Sequence, residues 1–200
     1  LNRTTGSVHD DLVRTIAESY FVKGDYAQAV RYIADYKPEK MGRQENYLLG
    51  YSLYRMARYS DAVAPLKAVC GREDALTQNA AYHLGDCYLK LGNRVSAADA
   101  FAQATTTGEG YNDNIARDAL LNCGRLKYEL GGGVFNEACA VLQLYLDRYP
   151  NTPQVAEVKQ LLIASYYNSK DYDTADAALK EYPNPDNEIK AALQRVALFR

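Results

Sequence analysis

The sequence predicts an all-α fold of about five tandem helix pairs followed by part of a sixth. Two recurrences predict it. Five segments, GDYAQA, ARYSDA, GNRVSA, GGGVFNEA and KDYDTA, each pass through a turn to an alanine (Ala29, Ala62, Ala97, Ala138 and Ala175), at steps of 33, 35, 41 and 37 residues. Upstream of each alanine stands a matching apolar segment: IAESYF (16–21), LGYSLY (49–54), LGDCYL (84–89), NCGRLKY (122–128) and LIASYY (162–167). A period of roughly 34 residues is the length of a helix, a turn and a second helix, and such a period marks a repeat architecture.

Each unit is read in turn. The first covers about residues 10–41: Ala17 is the small residue of its apolar stripe, Gly24 the turn, and Ala29 with Ile33 the buried side of the second helix. The second, 43–75, repeats this with Gly50, Ala62 and Leu66, and the third, 78–110, with Gly85, Gly92, Ala97 and Phe101. The fourth, 114–151, has Gly124, a turn loosened by Gly131 to Gly133, Ala138 and Leu142. The fifth, 154–185, places Ile163 where the others have a small residue, then Ala175 and Leu179. Apolar residues one helical turn apart put one stripe on one face of each helix, and a small residue in that stripe lets a second helix approach closely. Pro38, Pro150, Pro153 and Pro183 fall between successive pairs, where a helix must stop. Nothing alternates with period two, so strands are not expected.

Residues 1–9 are read as an N-terminal flank and 186–200 as the first helix of the partial sixth unit. The chain starts at Leu1 without methionine and stops within an apolar helical pattern (Ile189, Ala192, Leu193, Val196, Leu198), and is read as a segment of a longer protein.

Composition narrows the function. With 48% apolar residues the chain can bury a continuous core. A net charge of −2, from 23 basic and 25 acidic side chains mixed along the chain, gives no field that would gather phosphate backbones, so nucleic acid is excluded as a partner. No apolar run reaches the roughly 18 residues of a membrane helix, so this segment is not expected to insert. Cys70, Cys87, Cys123 and Cys139 are widely spaced and sit in helical patterns, where a free thiol behaves as a small hydrophobe; one disulfide between stacked helices stays open.

The stretch LGDCYLKLGNRVSAADAFAQA (84–104) resembles a tetratricopeptide repeat, on Leu84, Gly85, Tyr88, Gly92, Ala97, Phe101 and Ala104. Weaker copies run from about residue 10 to 183. Two departures are visible: Ala57 stands where glycine is usual, and the fourth turn has two extra residues. The resemblance implies an α–α superhelix, a solenoid whose first helices line a concave groove, and a protein that binds other polypeptides.

Eighteen tyrosines are the one conspicuous excess. Tyr47, Tyr51 and Tyr54 recur at helical spacing, and Tyr47 and Tyr51 lie roughly 160° around the helix from Leu49. The same face of the other first helices carries Arg14, Glu18 and Phe21; Tyr82, Asp86 and Leu89; Leu121, Arg125 and Tyr128; and Gln160, Ala164 and Tyr167, with Arg55 beside Tyr54. On the implied groove, aromatics and arginines are what a peptide-binding hot spot uses. For each tyrosine, packing against the neighbouring repeat is the alternative, and it is the expectation for Tyr20, Tyr88 and Tyr166. The lysine and asparagine clamp by which relatives hold a C-terminal carboxylate is not reproduced.

Chemistry finds little purchase. His83 and Cys87 share a helix face at i, i+4, but no further ligand is near in sequence, so neither a metal nor a cofactor is expected. Gly131 to Gly133 lacks the strand and the Lys-Ser that a phosphate loop needs. Asp10, Asp11 and Glu18 suit a solvated helix start. Asn2-Arg3-Thr4 is a chance-length glycosylation pattern. The chain is therefore read as a non-enzymatic scaffold with a protein or peptide partner. The alternative is a structural array that self-associates within a larger bacterial cell-envelope protein, with a homodimer through end helices. The phrase LDRYPNTPQVAEVKQLLIASYYNSKDYDTA is similar to repeats of bacterial envelope proteins and favours a periplasmic location over a cytoplasmic one; four cysteines without evident pairing point the other way.

Overall fold

In a computed structural model, residues 2–36, 41–131 and 135–181 are described. All regular structure among them is α-helical. Residues 186–200, assigned to the partial sixth unit, lie outside the described residues, as do Pro38, Gly132, Gly133 and Pro183.

The chain forms two compact units, Leu1–Ile115 and Ala116–Arg200. The first contains α1 (Asn2–Lys23), α2 (Tyr26–Ile33), α3 (Arg43–Arg55), α4 (Tyr59–Val69), α5 (Ala75–Lys90) and α6 (Arg94–Gln103). The second contains nearly all of α7 (Asp113–Leu130), then α8 (Phe135–Arg148), α9 (Val155–Asn168) and α10 (Tyr172–Lys180). Helix α1 already begins at Asn2, so residues 2–9, read from sequence as a flank, continue the first helix.

One local device makes each pair. After the first helix the chain enters the left-handed region at Gly24, Ala57, Gly92, Gly131 and Lys170. The amide of the next residue then donates back to a carbonyl five residues earlier: Asp25 to Tyr20, Arg58 to Leu53, Asn93 to Tyr88 and Asp171 to Tyr166. This closes the helix end and reverses the chain. Asp25, Asn93 and Asp171 also cap the second helix, their side chains accepting from the amides of Gln28, Ser96 and Thr174. Arg58 cannot accept, and its helix starts without a side-chain cap.

Close approach at one position sets the packing within a pair. A Cβ on Gly50 would stand 2.7 Å from Leu66 Cγ, one on Gly85 2.9 Å from Phe101 Cδ1, and one on Gly124 2.6 Å from Leu142 Cδ2. Gly50, Gly85 and Gly124 are the small positions of the sequence pattern, and Leu66, Phe101 and Leu142 belong to its buried second-helix residues. In the fifth pair Ile163 fills the position and packs with Leu179. Ala29, Ala62, Ala97 and Ala138 are fully buried.

Successive pairs in the first unit are tied by equivalent residues. Arg43, at the start of α3, donates to both carboxylate oxygens of Asp74 (2.6 and 2.8 Å), to Thr77 Oγ1 and to the Val69 carbonyl. Gln78, 35 residues on, donates to the carbonyls of Ala104, Thr106 and Asn112 and accepts from the Asn112 amide at 2.8 Å. Each side chain fixes the segment that follows the next second helix.

Candidate functional site

The first unit gathers the aromatic residues singled out from the sequence. Tyr51 of α3 is central, with ring centroids 5.6 Å from Phe21, 5.7 Å from Tyr47, 6.1 Å from Tyr54 and 4.8 Å from His83. The surface continues from His83 to Tyr82, 5.5 Å away. Helices α1, α3 and α5 thus contribute to one aromatic surface. Residues four apart on α3 bring Tyr47 and Tyr51 into a stack, and the pairing of first helices brings in Phe21 and His83.

Two contributors were missed by the sequence reading. Tyr26 opens the second helix α2, yet its ring lies 6.0 Å from Phe21 and 5.9 Å from Tyr51. His83, weighed only as a metal ligand, belongs to this surface instead. The helical register that placed Tyr82 and Asp86 could have placed His83 too, but nothing in the sequence of α2 signals that Tyr26 reaches the first-helix face.

Polar groups hold the surface together. The guanidinium of Arg55 lies over the Tyr26 ring, 4.8 Å from its centroid, and donates through Nη1 to the hydroxyls of Tyr26 (2.9 Å) and Tyr51 (3.0 Å). The Tyr54 hydroxyl donates to Asp86 at 2.9 Å. Burial pushes the Tyr47 phenol up to about 12, with Tyr51 and Tyr26 adding to the shift. Burial and the Asp86 bond also raise Tyr54. Both phenols therefore stay neutral. Desolvation pushes the His83 imidazole down to about 4, and its Nδ1 is buried without a hydrogen-bond partner.

The rings are half-buried, by one another and, for Phe21, Tyr47 and Tyr54, by the core clusters they pack against. At the α1 end this surface opens on a cleft of about 300 Å³ whose walls include Arg14, Glu18, Phe21, Tyr47, Leu48 and Leu76. Arg14 lies near two carboxylates, with Nη1 3.6 Å from Glu45 and Nε 3.8 Å from Glu18, but its buried Nε has no hydrogen-bond partner. Leu89 of α5 is half-buried.

In the second unit the candidates are engaged internally. Arg125 of α7 makes a two-pronged bond to Glu157 of α9, at 2.6 and 2.7 Å, and this pairing lowers the Glu157 carboxyl. Tyr128 packs on Phe135 and Tyr167 on Tyr172. Arg125 ties successive pairs as Arg43 does, and serves packing before recognition.

The thiols follow the small-hydrophobe reading. Cys87, Cys123 and Cys139 are buried, Cys70 is half-buried, and none forms a disulfide. Burial pushes the Cys87 thiol up to about 12, which removes its reactivity. Among the described residues no group of three His, Cys, Asp or Glu side chains could hold a metal ion, and no helix is long and apolar enough to cross a membrane.

The tetratricopeptide repeat family model matches residues 79–106 and 118–152. Those two segments carry tetratricopeptide repeats. No curated protein matches it. Among solved structures, this repeat protein is similar to MamA AMB-1, with 17% identity, a TM-score of 0.62, and coverage of 92% of this chain and 98% of that one. MamA from Desulfovibrio magneticus RS-1 is 19% identical with a TM-score of 0.53, covering 87% of this chain and 93% of that one. TPR-like repeats of a Podosopora anserina kinesin light chain are 16% identical with a TM-score of 0.50, covering 92% and 96%. At these identities the likeness bears on the fold alone, and the fold is the all-α helix-repeat class that the sequence predicts.

Proposed function

We propose that this tetratricopeptide-repeat protein is a non-enzymatic scaffold that binds a segment of a partner polypeptide on the aromatic surface of its first unit. One observation carries the reading: the partly exposed rings of Phe21 and Tyr47, both packed on Tyr51, border a cleft whose wall also holds the partly exposed Arg14 side chain. Rings fixed by their neighbours present contact area at small entropic cost, and an apolar side chain of a partner would fill the cleft. A backbone carbonyl of the same segment would meet the exposed edge of the Arg14 guanidinium. No nucleophile activated by a base stands at this surface, and the His83 imidazole is too weakly basic to serve as one near pH 7.

The test is selection from a displayed peptide library against the full chain, followed by affinity measurement on Phe21→Ala and Arg55→Glu variants. Selected peptides are expected to lose at least about tenfold in affinity on both variants, while Arg55→Glu, at an exposed position, keeps a melting temperature near that of the parent. Peptides that bind every variant as tightly as the parent would overturn the assignment of this surface.

A further inference from the structure

Arg55 brings an unopposed positive charge to the aromatic surface. Its side chain is exposed, and its partners are aromatic: the guanidinium lies over the rings of Tyr26 and Tyr51, 4.8 and 5.7 Å from their centroids, and Nη1 donates to both hydroxyls. No carboxylate among the described residues pairs with it. The acids of the neighbouring first helices are engaged elsewhere. Asp86 of α5 accepts from the Tyr54 hydroxyl at 2.9 Å, and Glu18 of α1 lies 3.8 Å from Arg14 Nε.

The two phenols define what this corner lacks. An arginine can only donate, and each phenol that accepts from it keeps its own hydrogen to donate. Nε and Nη2 of Arg55 and the hydroxyl hydrogens of Tyr26 and Tyr51 thus surround one positive charge with donors, and none has an acceptor among the described residues. Two hydrogen bonds and a ring face hold the guanidinium in place, so a guest carboxylate meets a fixed fork and not a free side chain. The same fixed cation repels a basic guest, which sets the sign of the charge this corner accepts. Aromatic area continues past it through His83 to Tyr82 on α5, so a bound chain runs on and the carboxylate belongs to a side chain, not to a chain end.

We infer that the polypeptide segment bound on this surface carries an aspartate or glutamate whose carboxylate docks on Arg55 and the hydroxyls of Tyr26 and Tyr51. Tyr47, which borders the cleft, and Arg55 lie about 12 Å apart along the α3 axis, and this sets the distance from the acid to the apolar side chain in the cleft. The inference rests on the proposed use of the aromatic surface for binding and adds the charge and the place of a second anchor.

The probe is a displayed library of random peptides selected on the full chain. Binders that lose affinity on Phe21→Ala, or on the milder Phe21→Leu, are remade with blocked ends. Exchanging their aspartates and glutamates for asparagine and glutamine is expected to weaken binding to the parent at least about tenfold at one position. The same exchange should cost nothing on Arg55→Gln, because both changes remove one contact, and a lysine there should bind Arg55→Glu better than the acid does. Binders that tolerate every amide exchange, or that fail once their ends are blocked, overturn the acidic anchor while their dependence on Phe21 leaves the binding surface standing. If no recovered peptide depends on Phe21, the surface falls and the anchor with it. A dimer of the chain that Arg55→Gln dissolves also overturns it, because the occupant is then a second copy.

Discussion

The imidazole of His83 stands edge-on to the ring of Tyr51, with centroids 4.8 Å apart, and lies equally close to Tyr54. Desolvation holds it neutral, with a pKa of about 4 in the fold against an ordinary value of 6.5. Between these values the unfolded chain binds the proton and the folded one does not, so stability falls as pH drops from 6.5 to 4. The loss amounts to about 3 kcal/mol at most. From about pH 4.5 downward for Glu157, and from about 3.8 for Asp74, protonation of these carboxylates, both lowered by their arginine partners, adds a further loss. Urea midpoints at pH 7, 5.5 and 4.5 should show the slope, and His83→Phe should flatten it. Parallel curves for parent and variant would refute His83 as its source.

Ala57 takes a φ of 58° at the position where Gly24, Gly92 and Gly131 sit. A left-handed conformation costs a residue with a Cβ about 1–2 kcal/mol, whereas added freedom of the unfolded chain costs glycine about 0.4–1 kcal/mol. Relief wins by a small margin. Ala57→Gly should therefore stabilise the chain by about 0.5–1 kcal/mol, and Lys170→Gly, at φ 65°, by a similar amount. Thermal melts of the two variants read this directly, and a lowered melting temperature in both would contradict it.

The turn at Ala57 illustrates what the sequence made legible. The departure was visible in the residues, because four equivalent turns supplied the comparison. The same comparison placed Gly50, Gly85 and Gly124 where a second helix approaches closely. What stayed hidden depends on reach across elements. Arg125 occupies a first-helix position like its neighbours, and only the distance to Glu157 reveals that its guanidinium is already used. Tyr26 joins the aromatic surface because the turn before α2 aims it at Phe21, a direction no periodicity encodes. The tyrosines of α3 reach the aromatic surface, but Tyr47 and Tyr54 also pack against the core cluster of Leu53, Leu66 and Leu84. They then bury one another, which a single-helix projection cannot show.

Gly85 is the tightest test of the pair packing that can be made on a ring. A methyl group there would stand 2.9–3.0 Å from three carbons of the Phe101 ring, which is itself buried. Exchanging glycine for alanine in a helix would otherwise gain about 1 kcal/mol, and overpacking a core costs about 1–3 kcal/mol. Gly85→Ala is expected to be destabilising by roughly 1 kcal/mol net. Gly85→Ala combined with Phe101→Leu should recover part of the loss, which denaturant titration of the two single variants and the double variant would measure; strict additivity would exclude a steric cause.

Gln78 and Arg43 hold equivalent positions but differ in burial, and that difference orders their costs. Gln78 is fully buried, and removing its amide leaves the carbonyl of buried Ala104, the carbonyls of the more exposed Thr106 and Asn112, and the Asn112 amide without their partner. Each stranded group costs about 1–3 kcal/mol when water cannot reach it. Arg43 and Asp74 keep part of their side chains in solvent, so after Arg43→Met the Asp74 carboxylate can rehydrate, while the Val69 carbonyl and Thr77 hydroxyl belong to buried residues. The loss from Arg43→Met is expected near 1–2 kcal/mol, against about 3 kcal/mol or more for Gln78→Leu. Burying the leucine side chain cannot offset this, because the site is lined by peptide groups. Hydrogen exchange should localise the second effect to residues 104–112, which Gln78 anchors, before any change in α3. If Arg43→Met proved the more damaging of the two, charge pairing would outweigh peptide satisfaction in joining these repeats.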